Sequence, residues 1–362
     1  MTRILHTACS GFESARQLLS SGGAASGTAG LHGHSFLAKV RASLPAGLAA
    51  FEGDELACLQ SALERCTARL DRRLLNELLP EPSDEALARW IAAEIGLPGV
   101  LQVGIQSTRQ QGVDLDPDGR AELWRRFVFQ AAHRLPNVPA GHKCGRMHGH
   151  GFEVVVHARA LPGGRPIDHD RLDAAWAPLH FELNYGCLND LPGLANPTSE
   201  VMSSWIWQRL QPTLPELAWV TVYETASCGA NFDGQQYRIW KDFTLDSAVQ
   251  LRRAPEGSAL RRLHGHTYQM RLHLAAPLDQ VMGWTVDFGD VKELFSPIFK
   301  SLDHQPLYEL PGLLDCDSAS LASYILDQAR AVLPAVDRVD LHETRGNGAI
   351  VMVGRAGPAV PI

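Results

Sequence analysis

The triplet His-Gly-His occurs three times, as His32-Gly33-His34, His148-Gly149-His150 and His264-Gly265-His266, 116 residues apart each time. Solenoid units run about 20–50 residues, so this period is too long for a solenoid. It is the length of a small domain, and it limits the chain to tandem copies of one unit. Other landmarks keep step. Leu-Asp stands at 70–71 and 302–303, with Leu183-Asn184 at the matching place in the middle. VGIQST (103–108), VTVYETAS (220–227) and RVDLHETR (338–345) are β-rich runs near the end of each copy. The units read as 1–120, 121–234 and 235–362. DLDPDGR (114–120) reads as a turn-rich linker, and the join near CGANFDGQQ (228–236) as a tight turn.

The 362 residues include 45% apolar and 20% charged side chains, the composition of a globular protein. A net charge of −7 argues against a nucleic-acid binder, which carries a basic excess. No apolar run approaches the roughly 20 residues that span a bilayer, and the first residues lack the apolar core of a signal peptide. Seven cysteines without a Cys-x-x-Cys pair fit a reducing cytoplasm better than a disulfide scaffold.

The middle unit is the clearest. FVFQAAHRL (127–135), GFEVVVHARA (151–160) and AWVTVYET (218–225) read as half-buried strands. DHDRLDAAWAPLHFEL (168–183) reads as a helix, and Pro197-Thr198-Ser199-Glu200 opens a second one, capped by Thr198 or Ser199. This order predicts an α+β unit with an antiparallel sheet and helices on one face. His148 and His150 sit two apart on a strand and therefore share a face. His133 ends the preceding strand, so pairing would bring three imidazoles together, the ligand set of many open zinc sites. Cys144 lies four residues before His148. It is either a fourth ligand or an unligated base or nucleophile, with Lys143, Arg146 and a metal favouring its thiolate. His142, His157, His169 and His180 read as solvated or locally bonded, and Glu224 taken alone as a solvated carboxylate.

FQAAHRLPNVPAGHKCGRMHGHGF, LNDLPGLANPTSEVMSSWIW and VYET closely resemble the 6-carboxytetrahydropterin synthases of queuosine biosynthesis, relatives of 6-pyruvoyl-tetrahydropterin synthase. RRLHGHTYQMRL, GWTVDFGDVKELF, SLDHQPLYELPGL and LHET extend the likeness to 235–362, and LHGHSF with ARLDRRLLNE extends it faintly to 1–120. The resemblance implies a tunnelling fold (T-fold): three ββααββ units closing a barrel, with two barrels stacked. It implies zinc held by His133, His148 and His150, Cys144 as proton acceptor, and an Asp-His relay from a neighbouring unit. It also implies a glutamate that anchors the pterin beside Thr198 and Ser199.

No copy is complete. The middle unit has Asn184-Tyr185 where the relay belongs. The last unit has Asp303-His304 and Glu343, but Val249 for the first histidine and Leu260 for the cysteine. The first unit has Arg16, Thr28, Arg72 and Gln106 for the first histidine, cysteine, relay histidine and glutamate. The complementary losses predict one composite site between units two and three, with Cys144, Glu224, Asp303 and His304 as its catalytic residues. Glu224 is favoured over Glu343 as pterin anchor, and the first unit is structural. The expected activity is zinc-dependent formation of 6-carboxytetrahydropterin from 7,8-dihydroneopterin triphosphate in a cytoplasmic homodimer. The alternatives are 6-pyruvoyl-tetrahydropterin formation and a non-catalytic pterin-binding protein.

Overall fold

The computed structural model describes residues 2–18, 30–161, 167–313, 315–354 and 357. Thr28 lies outside these. The first 120 residues form β1 (Arg3–Gln17), β2 (Leu31–Ala42), α1 (Glu55–Ala68), α2 (Asp84–Glu94), β3 (Val100–Thr108) and β4 (Gln111–Leu115). Next come β5 (Ala121–His133), β6 (His148–Arg159), α3 (His169–Leu183), the short β7 (Gly186–Cys187), α4 (Ser199–Leu210), β8 (Leu217–Thr225) and β9 (Cys228–Phe232). The last third holds β10 (Tyr237–Val249), β11 (His264–Ala275), α5 (Phe288–Leu302), α6 (Ser318–Val332), β12 (Val336–Thr344) and β13 (Asn347–Met352).

The strands form one sheet in the order β4-β3-β2-β1-β13-β12-β11-β10-β9-β8-β6-β5, and β5 pairs back onto β4. The sheet is therefore a closed barrel. Every pairing is antiparallel except that of the added β7 with β5. Each third of the chain supplies one unbroken arc of four strands, and the arcs meet at β1–β13, β9–β10 and β4–β5. DLDPDGR is only partly the turn-rich linker expected: Asp114 and Leu115 finish β4, paired with Glu122 and Ala121, and 116–120 are the hairpin turn that joins the two units. Closure requires this, because a separated unit would leave an edge of unpaired backbone groups. At the other join, Phe232 pairs with Tyr237, so the expected tight turn occupies residues 233–236.

Strand alternation sorts the side chains into two layers. On β2, Phe36, Ala38, Val40 and Ala42 are buried in the apolar layer shared with α1 and α2. Lys39 and Arg41 point the other way, into a cavity of about 410 Å³ inside the barrel that Asp114, Asp242, Arg271 and Asp340 also line. Buried charge needs a partner: Lys39 meets Asp114 at 3.0 Å and Arg271 meets Asp242 at 2.6 Å. Trp124, Val155, Tyr223 and Trp240 cluster separately. Gly112 and Gly229 admit the two indoles, since a Cβ at either would stand 2.6 Å from the ring.

Side-chain caps start five of the described helices, including the two the sequence places at 168–183 and after Pro197. Ser83, Asp168, Thr198, Asp287 and Asp317 each accept a backbone N–H from the first turn. Thr198 rather than Ser199 caps α4. All seven cysteines are free thiols. No helix among the described residues is long and apolar enough to cross a membrane.

Candidate active site

His133 and His148 face each other across the β5–β6 pair, and His150 follows on the same face. The residue between the histidines must be small. A Cβ at Gly149 would approach the Ala131 carbonyl oxygen to 3.2 Å, and Gly33 and Gly265 meet Ser14 and Ser247 in the same way, at 3.3 and 2.8 Å. The triplet thus recurs partly because the sheet demands its glycine. In the middle third the rings converge, with centroids 4.5 Å (133–148), 5.2 Å (133–150) and 5.0 Å (148–150) apart. Nδ1 of His133 donates to the Pro197 carbonyl at 3.1 Å, and Nδ1 of His148 donates to that of Arg146 at 2.8 Å. These bonds fix the tautomer and leave each Nε2 as a lone-pair donor.

Nε2 of His133 and Nε2 of His150 are buried and make no hydrogen bond. Glu224 Oε1 stands 3.5 Å from the latter, and Oε2 accepts from Ser199 Oγ at 2.8 Å. One ligand atom from each of His133, His148, His150 and Glu224 lies within 4.8 Å of all the others. Burial lowers the pKa of His133 and of His150, which favours the neutral, coordinating imidazole. An orphaned buried nitrogen costs about 1–3 kcal/mol. A divalent cation among these atoms would satisfy both, so the donor set fits a metal such as zinc.

This group opens into a cavity of about 860 Å³. Cys144 lines it from a short 3-10 turn, Lys143–Gly145, and stands outside the four-residue group. Without a metal its thiol is pushed up: burial dominates, Glu224 adds to it, and Lys143 offsets only part. Arg146 is exposed at the cavity mouth. The wall also carries Glu200, which the sequence reading treated only as part of a helix start. It is buried, and burial raises its carboxyl pKa to about 7. Trp284, Val286 and Asp287 of the last third line the facing side, and the segment around them is tied to the middle third. Thr285 N donates to Glu200 Oε1 at 2.7 Å, Asn196 Nδ2 to the Met282 carbonyl at 2.7 Å, and Asn137 Nδ2 to that of Val281 at 2.6 Å. Thr198 Oγ1 donates to the Gly283 carbonyl. The cavity therefore does lie between the middle and last thirds.

Asp303 and His304 do not line it. Phe288 and Gly289 at the start of α5 border the cavity, whereas Asp303 caps the far end of this 15-residue helix. From Lys292, the last α5 residue lining the cavity, eleven residues at about 1.5 Å each put Asp303 roughly 16 Å further along the helix. Within one chain the relay pair therefore stands apart from this cavity. The pair itself is formed: His304 Nδ1 is 2.9 Å from Asp303 Oδ2, and the imidazole is exposed. Asp303 also accepts the Asp246 N–H, as Asn184 accepts that of Gln130 and Asp71 that of Glu13. The next residue in each case, His304, Tyr185 and Arg72, has positive φ (57°, 60° and 53°), and these are the only such non-glycine residues described.

The other copies keep the frame without the centre. Arg16 faces His32 as His133 faces His148, and its Nη1 meets Asp84 Oδ1 at 2.6 Å in a buried ion pair. Val249 faces His264 and is buried, while Glu343 lies 3.9 Å from His266, away from the cavity. The first-third counterpart of Glu224 is Ser107, not Gln106. Gln106 pairs with Gly112 as Tyr223 pairs with Gly229, so Ser107 takes the bulged place of Glu224.

A model of the 6-pyruvoyl tetrahydropterin synthase family matches residues 122–235 and again 238–353. A 6-carboxy-5,6,7,8-tetrahydropterin synthase from Synechocystis sp. is 34% identical over 119 residues, 30% of this chain and 91% of that protein. Solved structures that match include 6-pyruvoyl tetrahydropterin synthase from Caenorhabditis elegans, with 19% identity, TM-score 0.30, 33% of this chain and 95% of that one. Another is a urate oxidase mutant from Bacillus sp. TB-90, with 7% identity, TM-score 0.34, 60% of this chain and 88% of that one. With the family matched twice in tandem over more than half its length, the chain belongs to the 6-pyruvoyl tetrahydropterin synthase family.

Proposed function

We propose that the chain is a zinc-dependent 6-carboxy-5,6,7,8-tetrahydropterin synthase acting on 7,8-dihydroneopterin triphosphate, built from three T-fold units (1–120, 121–234 and 235–362) as a pseudo-trimer. The observation that carries this reading is the distribution of charge in one cavity. Glu200 and Glu224 lie by the histidine group, and Lys143, Arg146, Lys241 and Lys292 line the same cavity with no carboxylate partner among the described residues. A pterin presents an N–H-rich edge, which a carboxylate can accept through two hydrogen bonds, and a triphosphate needs unpaired cations. Glu224 takes the pterin edge in this reading, with Thr198 and Ser199 beside it, and Glu343 has no part in this cavity. A bound zinc ion would polarise side-chain hydroxyls and acidify the neighbouring C–H and O–H bonds. Cys144 then accepts the proton and a histidine supported by Asp returns it.

That histidine is His304 of a second copy. Leu31, Met147 and Leu263 precede or open equivalent strands at one end of the barrel and are 67%, 53% and 64% exposed. They offer an apolar rim for rim-to-rim stacking of two chains, and Met147 also lines the cavity. A 6-pyruvoyl product is the second reading, supported by the description of the matching family model. The test is to incubate purified protein with 7,8-dihydroneopterin triphosphate and identify products by mass. A 6-carboxy product supports the first reading, a 6-pyruvoyl product the second, and no turnover removes both. Mixing inactive Cys144→Ser and His304→Ala chains should restore about a quarter of the activity if each site spans two chains of a C2 dimer. No restoration would return the relay to a single chain.

A further inference from the structure

His142 is unused by the metal group and by the relay. It precedes the turn that carries Cys144, and its Nδ1 accepts the Cys144 backbone N–H at 3.2 Å. An accepting Nδ1 holds no proton, so the neutral ring carries its proton on Nε2. That nitrogen stands 3.8 Å from Asp287 Oδ2. The other oxygen of Asp287 is engaged: it caps α5 by accepting from Gly289 N at 2.6 Å and from Asp290 N at 3.2 Å. One carboxylate oxygen is thus pinned to the helix and the second faces the imidazole. The His142 ring also borders Trp284, with centroids 6.2 Å apart. His142, Cys144, Trp284 and Asp287 all line the cavity. The first two come from the middle third and the last two from the wall that the last third lays across it. Asp303-His304 stands elsewhere and His150–Glu224 belongs to the metal group, so this is a further histidine–carboxylate pair that the chain sets beside the thiol.

We propose that Asp287 and His142 form a positioning pair for Cys144. Asp287 orients the imidazole, and the imidazole holds the thiol-bearing turn against the cavity wall through the Cys144 N–H. The last third therefore contributes to the thiol of the middle third without touching it. This deepens the function proposed above and rests on it for turnover, so the thiol is also read directly.

The experiment compares full-length parent, His142→Ala, His142→Asn and Asp287→Asn. Alkylation of Cys144 by iodoacetamide is followed by peptide mass from pH 6 to pH 10. Asp287→Asn keeps a side-chain oxygen to cap α5 and removes the charge facing His142. His142→Asn keeps an oxygen that can accept the Cys144 N–H. We expect His142→Ala and Asp287→Asn to change the alkylation rate several-fold and to displace its pH profile, with His142→Asn close to the parent. On the pterin substrate, kcat should fall about 10-fold in the first two with KM little changed, the scale typical of an outer-shell partner. Alkylation profiles of His142→Ala and Asp287→Asn that coincide with the parent's would overturn the proposal. If His142→Ala does not fold, Asp287→Asn alone decides. If the parent turns over no pterin, the function above fails while the alkylation comparison still stands or falls on its own.

Discussion

The first and middle thirds place the same three positions in the same strand register and fill them in opposite ways. Arg16, His32 and His34 in one correspond to His133, His148 and His150 in the other. In the first, the Arg16 guanidinium lies against Asp84, which also accepts from Ser107 Oγ at 2.6 Å. In the second, two imidazole nitrogens are left bare beside Glu224. Both arrangements set positive charge, or room for it, against a carboxylate, buried in Asp84 and half-buried in Glu224. A guanidinium supplies that charge permanently and closes the site. Neutral imidazoles leave it to an exchangeable ion. The last third takes a third course, with apolar Val249 and only His266 near Glu343.

The largest expected effect contrasts the two triplets directly. His148→Ala should take tightly bound metal from about one ion per chain to nearly none, because it removes one of three neutral ligands. His32→Ala should leave the metal content unchanged. Metal analysis of the purified variants checks both, and equal losses would make the two thirds equivalent after all. Next in size is Arg16→Ala, which strips the cation from a buried pair. It should destabilise the protein by about 3–5 kcal/mol in denaturant unfolding while metal content holds. A loss below about 1 kcal/mol would show that Asp84 is better solvated than its burial indicates.

The smallest effect concerns Glu200. Its folded pKa, about 7, is raised from 4.5 mainly by burial. The folded state therefore favours the neutral acid. That contribution to stability is complete below about pH 4.5 and is lost as the pH rises through 7. Glu200→Gln stays neutral throughout and can still accept from Thr285. It should match the parent near pH 4 and exceed it by about 2–3 kcal/mol near pH 8. A constant difference across this range, measured by urea unfolding, would show that Glu200 does not titrate there.

Local signals carried much of this. The helix over 168–183 followed from apolar periodicity, and the start at Thr198 from a capping residue ahead of it. His133, His148 and His150 converge because a period of two and one strand pairing are enough to align them. Glu200 was not legible, because it reads as an ordinary first-turn acid until the segment at 279–287 buries it. The place of His304 was not legible either. Its alignment with the relay said nothing of the stretch of helix that lies between it and the cavity. The burial that raises the Cys144 pKa in the metal-free site was not legible either, since the neighbouring Lys143 is visible in the sequence and the burial is not.

By itself the sequence determined the repeat, its α+β elements, the family and which copy keeps three histidines. These rest on spacing and on short-range periodicity, which are properties of the chain alone. Only the tertiary structure decided which strand edges join the arcs, β1–β13, β9–β10 and β4–β5, and which residues of the last third wall the middle third's cavity. It alone also set His142 against Asp287 and sent Asp303-His304 away from the cavity. Those outcomes depend on contacts between residues far apart in the chain, and burial and charge at such contacts exist only once the barrel has closed.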